Sequence, residues 1–258
     1  MSTQAWANLA ERRAATPPLA VSTVVFTLRA PVDVTGRPVD GARPALHVPL
    51  VRRERSPYKG QWALPGGPLR GDTSLRTAAA TALRSTTGLA PALLEQLYTF
   101  GGTDRGEGPR VVSVVYWALV REQGADAVLV DDPNVAWFPV DHATVTERLA
   151  FDHSAIVAYA VARLRAKVGW ADVARRLLGE TFTLAQLREV HEAILDKDLD
   201  QANFRRTMLA RGGLEDTGQV LTGGRNRPPK LYRAVDTAET TQQKRDQELV
   251  PDPERETV

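Results

Sequence analysis

The feature that most limits what this chain can fold into is a change of apolar periodicity near residue 150. Before it, apolar residues gather in short β-branched runs: AVSTVVFTLRA (20–30), ALHVPLVRR (45–53), VVSVVYWALV (111–120) and VAWFPVD (135–141). Runs of this kind, separated by Gly/Pro-rich stretches such as VTGRPVDGARP, read as strands joined by loops. After Phe151 the strand signals stop, and SAIVAYAVARLRAKV (154–168) carries its apolar residues at helical spacing. Strands with one intervening helix, followed by helices, define an α+β chain. Its 258 residues exceed the roughly 100–150 of a common single domain, so two units are expected.

The first unit spans 18–150, and the helix over 154–168 leads out of it as a linker, 151–170. TLAQLREVHEAIL (183–195) predicts a helix capped by Thr183 that buries Leu187, Val190 and Ile194. DQANFRRTMLARG (200–212) predicts a short second helix with Phe204, Met208 and Leu209 in its core. The following GGLEDTGQVLTGGRNRPPKLYRAV reads as a two-stranded ribbon around a basic loop, so 171–235 has the order of a winged helix. Residues 3–14 suit a short amphipathic helix within an N-terminal extension, 1–17. The polar stretch 236–258 has too little apolar surface to offset the entropy of ordering and is expected to be disordered.

A net charge of +2, from 33 Lys and Arg against 31 Asp and Glu, conceals a local excess. Between Asn203 and Arg233 stand Arg205, Arg206, Arg211, Arg225, Arg227, Lys230 and Arg233, opposed only by Glu215 and Asp216. A helix set into a major groove would carry Gln201, Asn203, Arg205 and Arg206 toward bases or phosphates of double-stranded DNA. Arg225, Arg227 and Lys230 would follow the backbone as a wing. The absence of cysteine excludes disulfides and thiolate zinc sites, and His142 and His153 lack neighbouring ligands, which favours structural or surface roles. No apolar run approaches the ~20 residues of a membrane span, and MSTQAWANLAERRAA has no signal-peptide core, so a cytoplasmic protein is expected.

Between the second and third strand runs lies LPGGPLRGDTSLRTAAATALRSTTGL (64–89). Asp72 or Thr73 can cap a helix with Leu75, Ala79 and Leu83 on its buried stripe and Gly88 as its stop. The segment resembles the Nudix box, G-x5-E-x7-R-E-U-x-E-E-x-G-U with U bulky and aliphatic, when the last glycine is set on Gly88. Gly67 is then the first glycine, Thr73 stands for the first Glu, Thr81 and Ala82 for the Arg-Glu pair, and Ser85 and Thr86 for the Glu-Glu pair. A hard cation bridging a pyrophosphate needs several carboxylates on one helical face, three and four residues apart. Ala82, Ser85 and Thr86 supply none, Asp72 is the sole acid, and Arg70, Arg76 and Arg84 make the segment basic.

GQWALPGG (60–67) after a strand ending in LVRR also matches the approach to a Nudix box, and residues 18–150 resemble a Nudix domain. With LAFDHSAIVAYAVARLR (149–165), FTLAQLREVHEAILDKDLDQANFRR (182–206), GLEDTG (213–218) and RPPKLYR (227–233), the chain resembles the NrtR-type Nudix-related transcriptional regulators over about 18–235. The resemblance implies an α/β/α sandwich that senses ADP-ribose or a related nucleotide, followed by a winged helix acting, as a homodimer, on operators of NAD-metabolism genes. It implies no catalytic residue, no metal and no required cofactor, because this box is emptier than those of relatives that retain some acids. Guanidinium groups can pair with phosphate without a carboxylate cage. Arg52, Arg53, Arg105 and Arg110, with Trp62, Gly66 and Gly67, are therefore the expected ligand residues. Two alternatives stay open. One is a divergent Nudix pyrophosphohydrolase using Glu107 or Asp131 and Asp132; the other is a sugar-responsive regulator of the same architecture.

Overall fold

The computed structural model describes residues 17–31, 39, 42–91, 93–103, 105, 110–122, 129–140, 149–167, 176–222 and 228–235. The expected helix over 3–14, the expected disorder of 236–258, and the residues Glu107, His142, Arg225 and Arg227 lie outside the described residues.

The central strand is β1 (Leu19–Arg29). Val21, Val24, Val25 and Phe26 are all buried, because both faces of this strand are covered. Its first part runs parallel to β6 (Val112–Leu119), from Leu19 opposite Val112 to Phe26 opposite Leu119. Its last part turns to pair antiparallel with β2 (Ala45–Arg52), Thr27 opposite His47. β2 in turn pairs with β3 (Trp62–Ala63) and β7 (Val135–Pro139), while β5 (Glu95–Phe100) forms the edge beyond β6. β4 (Gly66–Pro68) adds to the start of β1, Ser22 opposite Gly66.

Helix α1 (Leu75–Thr87) covers one face, setting Ala79 and Leu83 against Val21, Val25, Val114 and Tyr116. Its cap is Ser74, whose Oγ accepts the Thr77 N–H at 3.1 Å. Neither Asp72 nor Thr73 has that role: the Thr73 hydroxyl donates back to the Arg70 carbonyl at 3.2 Å. Gly88 ends the helix at φ 81, a left-handed conformation that only glycine adopts without strain.

Helix α2 (His153–Lys167) covers the other face. Here the linker expectation is corrected. Ile156, Val157, Ala160 and Leu164 are buried against Val24, Phe26, Val48 and Val115, so this segment is the second cover of the sandwich. Apolar spacing announces a buried face; it does not say which partner buries it.

α3 (Leu184–Leu195) and α4 (Gln201–Arg211) follow. Thr183 closes a full capping box with Gln186, and Leu187, Val190 and Ile194 are buried as expected. The ribbon β9 (Leu214–Val220) and β10 (Lys230–Ala234) gains a third strand, β8 (Phe182–Thr183), too short to be seen as a periodic run. The whole is an α/β/α sandwich followed by a winged helix. Val190 and Ile194 of α3 belong to the same core as α2 and β2, and Arg165 donates to the Ile194 carbonyl at 2.9 Å. The two units thus share packed side chains.

Candidate functional site

Where β4 meets the start of β1, the sandwich opens a cavity of about 380 Å³. Residues 19–22 of β1 and Gly66 and Gly67 of β4 form part of its wall. Gly66 is required by packing: a Cβ there would lie 2.3 Å from the Val21 carbonyl oxygen, whereas one on Gly67 would meet nothing. Arg53, Arg105, Arg110, Phe151 and His153 give it a basic and aromatic lining, beside Thr103 and Ser113. The fold thereby gathers Arg53, Gly66, Gly67, Arg105 and Arg110 from the expected ligand set around one space.

Arg52 and Trp62 are not part of that wall. Successive side chains on a strand point to opposite faces, so Arg52 and Arg53 diverge. The Arg52 Nε donates to the Gly60 carbonyl at 2.9 Å, and Trp62 packs edge-on to Phe138 with ring centres 4.7 Å apart.

The arginines of the cavity are extensively engaged. Arg105 donates Nε and Nη2 to the two carboxylate oxygens of Asp152, at 2.6 and 2.9 Å. Its Nη1 donates to the carbonyls of Phe100 and Val111, at 2.8 and 3.0 Å. Among the described residues, four of its five N–H donors are therefore used. Arg110 directs Nε and Nη2 to the Gly101 carbonyl at 3.0 and 2.7 Å. Arg53 donates Nε to the Pro57 carbonyl at 2.9 Å and lies 4.6 Å above the Phe151 ring. Partial burial lowers its pKa from the ordinary guanidinium value.

Phe151 and His153 were not among the expected ligand residues. Phe151 reaches its place with φ 57, and Tyr58, whose ring packs 4.8 Å away, has φ 64. Left-handed backbone at bulky residues costs on the order of 1–3 kcal/mol and tends to cluster at functional sites. His153 is buried, and its Nδ1 accepts the Leu64 N–H at 2.9 Å, which leaves the neutral ring's proton on Nε2. Burial, reinforced by the charges of Arg105 and Arg53 against the opposing pull of Asp152, holds its pKa down at about 4. It is a structural histidine.

The residues of the box helix do not fit the magnesium ion that a Nudix box implies. The hydroxyls of Ser85 and Thr86 donate to the helix's own Ala82 carbonyl at 3.1 and 2.7 Å, and α1 carries no carboxylate. Among the described residues, no group of three His, Cys, Asp or Glu side chains is placed to hold a metal. Asp132, one of the acids open to a hydrolase, accepts the Asn134 N–H at 2.8 Å in a local turn.

The second candidate surface lies on α4. Asp200 caps the helix by accepting the Asn203 N–H at 2.8 Å, and Phe204 is buried beneath it. Gln201, Asn203, Arg205 and Arg206 are exposed. Arg206 donates to the Asn203 side-chain oxygen at 2.8 Å, while Arg205 has no hydrogen-bond partner among the described residues. Lys230, on β10, donates to the Asp216 carboxylate at 2.6 Å, and this hydrogen bond, with the attraction of the opposite charges behind it, raises the Lys230 pKa and lowers that of Asp216. Met208 packs partly against the winged-helix core, but Leu209 is 42% exposed, correcting the expectation that it is core. Four residues after Phe204 return to its face at ~100° per residue, and five overshoot it.

The description "NUDIX domain" matches residues 32–160 and "NrtR DNA-binding winged helix domain" matches residues 174–234. The ADPR responsive transcriptional repressor NtrR of Acinetobacter baylyi is 33% identical over 190 residues, 73% of this chain and 75% of that protein. This chain belongs to the NrtR family. Shewanella oneidensis NrtR, solved in complex with a 27mer DNA, superposes on it with a TM-score of 0.67 at 34% identity, covering 84% of this chain and 93% of that one. A MutT/nudix family protein from Enterococcus faecalis shares the fold, with a TM-score of 0.65 at 24% identity over 91% of this chain and 94% of its own. Among the described residues of this family member, no helix is long and apolar enough to cross a membrane.

Proposed function

We infer that this chain is a ligand-responsive transcriptional repressor. The observation that carries the reading is the exposed face of α4, where Gln201, Asn203, Arg205 and Arg206 stand on a helix anchored from behind by Phe204. Such a helix can enter a major groove, with Lys230, and Arg225 and Arg227 as the sequence leads one to expect, along the backbone. The effector we propose is ADP-ribose or a related nucleotide, held in the cavity beside β4 near Arg53, Arg105 and Arg110. Support comes from the relative described as ADPR responsive and from a box helix without carboxylates, which suits binding without hydrolysis. The targets are genes of NAD metabolism, read in the cytoplasm by a homodimer on a palindromic operator, and no cofactor is required.

The test is fluorescence anisotropy with duplexes selected by the protein from random DNA, alongside calorimetric titration of ADP-ribose with magnesium and then with chelator. Saturable, chelator-resistant binding is expected, with DNA affinity shifted roughly 5–150-fold by the ligand. Continuous magnesium-dependent heat with nucleotide cleavage would establish a pyrophosphohydrolase in its place, and a response to arabinose but not to ADP-ribose would establish a sugar sensor.

A further inference from the structure

We propose that Asp152 is an internal substitute for the ligand's phosphate: it occupies the forked edge of Arg105 until an anionic ligand displaces it, and its release loosens the start of α2. The proposal rests on the nucleotide-binding reading above and adds to it the residue that sets affinity and the step that conveys occupancy.

The two edges of the Arg105 guanidinium face different kinds of partner. Nη1 is fixed by the framework, bonding the carbonyl that ends β5 and the one just before β6 at 2.8 and 3.0 Å. Nε and Nη2 form the parallel pair that carboxylates and phosphates both accept in bidentate geometry, and Asp152 takes it at 2.6 and 2.9 Å. Arg105 lines the cavity while Asp152 does not, so a ligand there can approach the guanidinium without first meeting the carboxylate. Asp152 remains 21% exposed at its side chain, which leaves it access to water once displaced. The diphosphate of such a ligand carries two negative charges against the one of a carboxylate, and Arg53 and Arg110, also in the wall, favour the more highly charged anion. A neutral sugar has no charge with which to exchange. The pair therefore selects for phosphorylated ligands.

Displacement is coupled to the fold because Asp152 immediately precedes α2. Its carbonyl accepts the Ile156 N–H of the first turn at 3.1 Å, and it follows Phe151 with its left-handed backbone. α2 shares a core with α3, and Arg165 near its far end holds the Ile194 carbonyl at 2.9 Å. Loosening the first turn of α2 thus acts on the helix that precedes α4.

The test compares wild type with Asp152→Asn, which keeps the shape and removes the charge, by calorimetric titration of ADP-ribose and of inorganic pyrophosphate. The variant should bind both about tenfold more tightly. Its DNA affinity should respond less to ligand than that of wild type. In parallel, hydrogen exchange on wild type should show faster exchange at residues 153–157 when ADP-ribose is bound, a readout that stands even if the variant folds poorly. Equal or weaker binding by a cooperatively unfolding variant overturns the proposal, as does unchanged or slower exchange in ligand-bound wild type. Wild type and variant both failing to bind either anion would overturn the nucleotide-binding reading itself, and the displacement step with it.

Discussion

Two groups of arginines in this molecule have the same side chain and opposite circumstances. Around the cavity, Arg53, Arg105 and Arg110 direct their N–H groups at main-chain carbonyls and at Asp152, so their positions are fixed before any ligand arrives. Among the described residues of α4, Arg205 has no hydrogen-bond partner and Arg206 bonds only its helical neighbour Asn203. The first group shapes a wall; the second is available to a partner. Guanidinium groups thus serve in two ways: where the donors are already engaged, a ligand must exchange with a partner in place, and where they are open, a partner can add to them directly.

The contrast can be broken by mutation. Arg105→Ala should cost about 3 kcal/mol of folding stability, because it leaves the partly buried Asp152 carboxylate and two carbonyls without their donor. Urea denaturation would measure this, and a loss below about 1 kcal/mol would show that the cavity arginines are as dispensable to the fold as surface arginines. Arg205→Ala combined with Arg206→Ala should do the reverse: operator affinity falls by roughly 100-fold, at about 1–3 kcal/mol per contact, while nucleotide binding and melting temperature stay unchanged. Unchanged mobility of the DNA complex would remove α4 as the reading helix.

A smaller effect sharpens the comparison from the cavity side. His153 has a pKa of about 4 in the folded chain against 6.5 in the ordinary imidazole, so between those values the unfolded chain binds more protons. Stability should therefore fall as pH drops through that window, by about 2 kcal/mol between pH 7 and pH 5 from this group alone. Paired denaturation curves at the two pH values should show part of this drop vanish in His153→Gln, which keeps an acceptor for the Leu64 N–H. An identical pH dependence in the variant would mean that His153 is already charged or unfolds locally.

Most of the fold is legible in the residues because it follows from local periodicity. The β-branched runs become β1, β2, β6 and β7, and the capped amphipathic stretch becomes α3. β5 escapes because EQLYTF alternates weakly, and β8 because two residues carry no period. The cap of α1 is misread because Asp72, Thr73 and Ser74 are all capping types in a row; only the geometry of the turn selects Ser74. The site is less legible for a physical reason. The partner that decides the state of Arg105 stands 47 residues away, and the histidine that holds Leu64 stands 89 away. Spacing along the chain encodes neither. What the residues do reveal is the loss of acids from the box helix, since a missing carboxylate needs no fold to be seen.

The shared core between α2, β2 and α3 makes the DNA-reading unit hard to transplant. Cut free, it would present Val190 and Ile194 to water, each an apolar side chain whose burial is worth about 1.5–3 kcal/mol. Engineers who wish to join this reader to another sensor must bring along the residues of α2 and β2 that share its core, or rebuild α3 with a polar back.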